Sequence, residues 1–179
     1  MHDLDLLWNE IAGTVRPVAY QLKWAMEDRF VRFHSLPEKK RYPDNAREMR
    51  FIIDRHNEVL SAVFSLGEKL ASIEMTWSNK LSKRARSRGY LHWKDVQKDA
   101  DDSDCMIHLY YKEKIWSPDC LNWAITAAAN EDLFGFMVIG VESKAIYHPY
   151  DGGMDIIMPS VKERDNMSDR FERYLPSET

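Results

Sequence analysis

Three apolar runs, Phe134–Val141, Ala145–Tyr147 and Met154–Met158, follow one another with only short turn-forming segments between them. Each run has the length and residue types of a strand. His148-Pro149-Tyr150-Asp151-Gly152-Gly153 joins the last two, and its Pro and paired Gly read as a turn. Parallel neighbours need a crossover of a dozen or more residues, and there is no room for one here, so this part of the chain must be an antiparallel sheet. Phe134–Val141 is apolar almost throughout, which predicts a central strand covered on both faces.

The rest of the chain alternates helical and strand patterns. Leu4, Leu7, Trp8 and Ile11 recur at helical spacing after Asp3, with Gly13 as the stop. Val18–Met26 is a second amphipathic stretch, and Phe30–His34 alternates as a strand. Leu36–Pro43 is a proline-bounded loop. Asp44–Leu66 carries the longest helical period, with His56 on its apolar face as a hydrogen-bonded histidine at the core edge. Leu70–Trp77 and Met106–Ile115 read as strands. Ser117-Pro118-Asp119 is a helix-start signal before Leu121, Ala124, Ile125 and Ala128, and Ser160–Leu175 reads as a polar closing helix. The pattern predicts an α+β domain, a mostly antiparallel sheet of about six strands with helices packed on one face.

At 179 residues the chain is expected to form a single domain spanning 1–179, with a charged arm or long loop around 78–104. In that arm Lys80, Lys83, Arg84, Arg86 and Arg88 precede Asp95, Asp99, Asp101, Asp102 and Asp104, with Tyr90 and Trp93 between. The basic run could hold phosphate, but the aspartates that follow neutralise it, and with 25 basic against 29 acidic side chains a general nucleic-acid binder is disfavoured. No run reaches the length of a membrane span, no apolar leader follows Met1, and there are only two cysteines, so a cytoplasmic protein with reduced thiols is expected.

Candidate chemistry is sparse. Cys105 and His108 have metal-ligand spacing, but residues three apart on a regular strand point to opposite faces, so no metal site and no cofactor is expected. Cys120, read as lying in the first turn of a helix, could be a nucleophile with His148 as base. His148, Asp151 and Asp155 form the other polar set, against which stands the plain need of a turn for Asp and Gly. A small cysteine- or histidine-dependent hydrolase is therefore the rival reading.

Four blocks carry a resemblance. Arg32-Phe33-His34-Ser35-Leu36-Pro37, Arg41-Tyr42-Pro43, Arg55-His56-Asn57 and Tyr150-Asp151-Gly152-Gly153-Met154-Asp155-Ile156-Ile157 are similar to recurring blocks of a bacterial family of small uncharacterised domains. The resemblance spans Arg16 to about Leu175 and implies a cytosolic accessory protein of the immunity kind, with no catalytic residue carried over. The expected function is an immunity protein, antitoxin-like, that neutralises a bacterial toxin by covering its active or substrate-binding surface. An acidic arm suits a basic nuclease as that partner. Trp93, Asp95, Asp99, Asp101, Asp102 and Asp104 are the candidate contact residues.

Overall fold

The computed structural model describes residues 4–77, 83–97 and 106–176. Among them, seven strands form one sheet in which every pairing is antiparallel. The strands are β1 Phe30–His34, β2 Lys69–Thr76, β3 Leu91–Gln97, β4 Met106–Ile115, β5 Met137–Gly140, β6 Ile146–Tyr150 and β7 Gly153–Ile157. Their spatial order is β1-β7-β6-β5-β2-β4-β3. The α+β class and the antiparallel sheet are as expected, with seven strands where about six were counted. The additional length comes from the charged segment, whose residues Leu91–Gln97 pair with β4 as an edge strand.

Six helices accompany the sheet among the described residues: α1 Leu4–Ala12, α2 Leu22–Ala25, α3 Ala46–Val63, α4 Lys83–Ser87, α5 Asn122–Ala129 and α6 Val161–Arg170. On one face, Val31, Phe33, Leu70, Val138, Tyr147, Met154 and Ile156 pack against Ile52, Val59 and Leu60 of α3, Ala124 and Ile125 of α5, and Met167 of α6. The alternate residues Ala71, Ile73, Ile107, Leu109, Met137, Ile139, Ile146 and Ile157 form a second core with Leu4, Leu7, Trp8 and Ile11 of α1 and Leu22 of α2. Helices α3, α5 and α6 thus take one face, while α1 and the short helical segments after it close the other. The physical reason lies in the strands. Those in the middle of the sheet are apolar on both sides, so both faces must be covered.

α3 starts where the sequence provides caps. Asn45 Oδ1 accepts a hydrogen bond from the Glu48 amide at 3.0 Å, and Glu48 Oε2 accepts one from the Asp44 amide at 2.7 Å. The start signal at Ser117 works differently. Asp119 adopts φ +68°, and its amide donates to Asn57 Oδ1 at 3.0 Å. The Asn57 side chain also donates to Asn122 Oδ1 at 2.8 Å, so α3 holds Ser117–Leu121 as a turn and α5 begins only at Asn122. A tertiary clamp overrides a local cap signal.

Candidate binding surface

The four sequence blocks meet at one place, the pairing of β1 with β7. On the second face, Arg32 of β1 and Asp155 of β7 are register partners. The guanidinium donates from Nε to Oδ1 at 2.7 Å and from the other fork to Oδ2 at 2.8 Å. This bidentate bond keeps Arg32 firmly protonated, raising its pKa against the opposing effect of burial. The guanidinium also lies 4.7 Å from the centre of the Tyr150 ring. His148 of β6 stands opposite Asp155 on the other side of β7, is buried, and donates from Nδ1 to the Phe136 carbonyl at 2.8 Å. Burial pushes its pKa down, with the Asp155 charge acting the other way. Asp151 pairs with Arg41 from the loop after β1.

On the first face the same joint carries a buried polar chain. The Ser35 hydroxyl lies 2.8 Å from His56 Nε2, and His56 Nδ1 lies 2.8 Å from the Tyr147 hydroxyl. All three residues are buried. The Ser35 amide donates to the Gly152 carbonyl at 3.0 Å, and Arg55 donates to the His34 carbonyl at 2.8 Å. His56 is thus the hydrogen-bonded histidine expected, with a partner at each ring nitrogen. The blocks are first a structural joint, fixing an edge strand to its neighbour and both to α3.

Asp151 and His148 also border a cavity of about 180 Å³ with Arg41, Glu131, Phe134 and Tyr150. Beside it, Phe134 belongs to an aromatic cluster that sequence reading missed. Its ring centre is 4.9 Å from Trp77 and 5.7 Å from Tyr20, and Tyr20 and Trp77 are 6.3 Å apart in an edge-to-face arrangement. Trp77 keeps 45% and Phe134 58% of its surface exposed. Large rings held against one another yet open to solvent form an apolar patch of the kind that marks an interaction surface. No sequence signal separates these rings from core rings, because Trp77 and Phe134 sit at the ends of apolar runs whose other members are buried.

The other candidates are placed as follows. Trp93 turns onto the second face. Its ring meets Trp8 of α1 edge-to-face at 6.1 Å, and its Nε1 donates to Asp5 at 3.2 Å. Tyr90, at the start of the same segment, is 4% exposed and packs with Ala85 and Tyr110. The charged arm expected around 78–104 thus contributes core residues, Tyr90 wholly and Trp93 in part. Both are aromatic, so they bury even inside a charged segment. Asp95 is exposed and hydrogen-bonded to His92 and His108. Asp99, Asp101, Asp102 and Asp104 lie outside the described residues, as does Cys105. Cys120 precedes α5 rather than occupying its first turn, and packs partly buried at the edge of the first core. No hydrogen bond joins it to a histidine among the described residues. The position on which its activation depended is not the one it holds.

Among the described residues, one trio of His, Cys, Asp or Glu side chains is close enough to share an ion: His92, Asp95 and His108. No described helix is long and apolar enough to cross a membrane.

An α+β domain with a seven-stranded antiparallel sheet, bearing an aromatic patch beside a small cavity of mixed lining, is the class that fold and surface define. The chain belongs to the family described as domain of unknown function (DUF3885), whose model matches residues 18–178. Searches of curated proteins and of solved structures return no match.

Proposed function

We propose that this chain is a protein-binding module of the immunity kind, which neutralises a bacterial toxin by covering its active or substrate-binding surface. The observation that carries the reading is the cluster in which the exposed rings of Trp77 and Phe134 pack on the half-buried Tyr20. Aromatic rings anchor protein interfaces because they bring large apolar area at little entropic cost. The polar groups around it, Arg41 with Asp151 and Tyr42 with Glu131, supply the rim such an interface needs. The rival hydrolase reading needs a nucleophile and a base in bonding reach. Cys120 and His148 share no hydrogen bond, and the one His148 makes through Nδ1 goes to a backbone carbonyl.

The test is protection. The partner is sought as a secreted protein with a variable C-terminal domain, encoded immediately upstream. Co-expression should relieve its toxicity, and Trp77→Ala or Phe134→Ala should weaken binding by roughly 30-fold, the loss expected of a hot spot. Their melting temperatures should stay within a few degrees, since both rings are half exposed. Protection unaltered in both variants removes the patch from the interface. Absence of binding removes the immunity reading.

The acidic run has a separate expected role. Replacing Asp99, Asp101, Asp102 and Asp104 together with Asn should slow association with a basic partner and flatten its salt dependence, with little change in dissociation. Stopped-flow rates at low and high salt check this. Equal rates for both forms would take these residues out of the encounter.

A further inference from the structure

We propose that His92, Asp95 and His108 form a binding site for a divalent transition-metal ion at the β3–β4 edge of the sheet. His92 Nε2 and His108 Nδ1 each lie 2.7 Å from the same oxygen, Asp95 Oδ1. All three ligand atoms lie within 4.8 Å of one another. Ligands bound to one zinc ion at about 2.1 Å, with angles between octahedral and tetrahedral, sit roughly 2.9–3.4 Å apart. A shift of a few tenths of an ångström, within the reach of side-chain rotation, takes the two observed separations to that range.

The backbone explains how these residues come together. Residues three apart on a regular strand face opposite ways, so His92 and Asp95 should diverge. They do not, because the β3–β4 register slips between His92 and Lys94. His92 pairs with Tyr110, Lys94 pairs with Leu109, and Trp93 is the extra residue of a β-bulge. Trp93 and Lys94 both turn toward Asp5 of α1. The alternation is thereby reset, and Asp95 returns to the face of His92. His108 is the register partner of Asp95 on β4, which completes the trio. Bulges re-aim side chains in this way beside functional sites.

The chemistry of the set is selective. Two imidazoles and one carboxylate suit zinc, iron, cobalt or nickel rather than calcium or magnesium, which favour all-oxygen ligands. The His92 side chain is 36% exposed and that of Asp95 40%, against 11% for His108. An ion can therefore enter from solvent while His108 holds the inner side. Three protein ligands leave at least one position for water or for a group from another molecule, as in exchangeable and catalytic sites rather than closed structural ones.

The experiment uses the full chain without a histidine tag. Calorimetric titration with zinc chloride should give one ion per chain, reversed by a chelator, and cobalt substitution should give visible d–d absorption. His92→Ala and Asp95→Asn should each weaken zinc binding by more than about a hundredfold, since loss of a direct ligand exceeds the 10–100-fold cost of losing an outer partner. Both positions are exposed on an edge strand, so these variants should fold, and unchanged circular dichroism checks it. His34→Ala, on β1 at the far edge of the sheet, should titrate as the parent does. A parent chain that takes up no stoichiometric zinc overturns the proposal. So does zinc binding that persists at parental affinity in both ligand variants.

Discussion

Gly153→Ala should lower the melting temperature by roughly 10 °C, while Gly152→Ala moves it by only a few degrees. Gly153 opens β7 and pairs with His34 of β1. A Cβ built on Gly153 falls 2.1 Å from the Phe33 carbonyl oxygen and 3.1 Å from His34 Cα. Both atoms belong to backbone, so no rotamer change can relieve the contact, and the two strands must part. β1 lies at the sheet edge and has no second strand to hold it. Its displacement would also pull Arg32 from Asp155 and Ser35 from His56. Overpacking of this kind costs on the order of 3 kcal/mol, and each kcal/mol is worth about 2–4 °C in a chain of this size. A Cβ on Gly152 meets only the Tyr150 ring, at 3.1 Å, with Arg41 next at 3.6 Å, and side chains can give way. Paired thermal melts decide the matter. Equal transitions for the two variants would mean that the β1–β7 contact is looser than described.

The contrast between these neighbours shows where sequence reading stops. The Asp-Gly-Gly turn was legible, and so was the antiparallel order of β5, β6 and β7, because short connections permit nothing else. The long helix was legible from its period, and the central strand from its unbroken apolar run. What a turn motif cannot reveal is that neither glycine has a positive φ and that Gly153 serves close approach instead. That role depends on β1, more than a hundred residues away in the chain. The same limit explains Cys120. A Ser-Pro-Asp helix start is a sound local signal, yet Asn57 reaches across from α3 and moves the start of α5 to Asn122. It explains the metal trio as well. Strict alternation excludes a shared ion for residues three apart, and only the register against β4 discloses the bulge at Trp93. It explains the aromatic patch too. Trp77 and Phe134 look like core residues in sequence, and their exposure follows from where the sheet ends.

The expected result of acidification is a fall in stability that begins near pH 6.5 and steepens below it. His56 is fully buried between Ser35 and Tyr147, and burial, with a smaller contribution from the neighbouring Arg55 charge, pushes its pKa down to about 3. Both of its ring nitrogens are satisfied by hydroxyls, one donating and one accepting, which suits a neutral imidazole. Among the described residues, no carboxylate is hydrogen-bonded to it to offset a charge. In the unfolded chain the same group titrates near 6.5. The unfolded state therefore binds the proton first. The stability that His56 contributes is complete above pH 6.5 and is lost progressively as the pH falls toward 3. The slope is about 1.4 kcal/mol per pH unit for one proton. Down to the folded pKa the loss is on the order of 4 kcal/mol, a large share of the 5–15 kcal/mol that holds a domain together. His148 adds to the slope in the same direction, since burial lowers its pKa and the Asp155 charge only partly compensates. Urea denaturation at several pH values between 8 and 4 measures the slope, and proton NMR of the His56 ring should show no titration before unfolding. An unfolding free energy that stays level from pH 7.5 to pH 5, or a His56 resonance that titrates near 6 in the folded protein, would mean that water or a counter-charge reaches the joint between β1, β7 and α3.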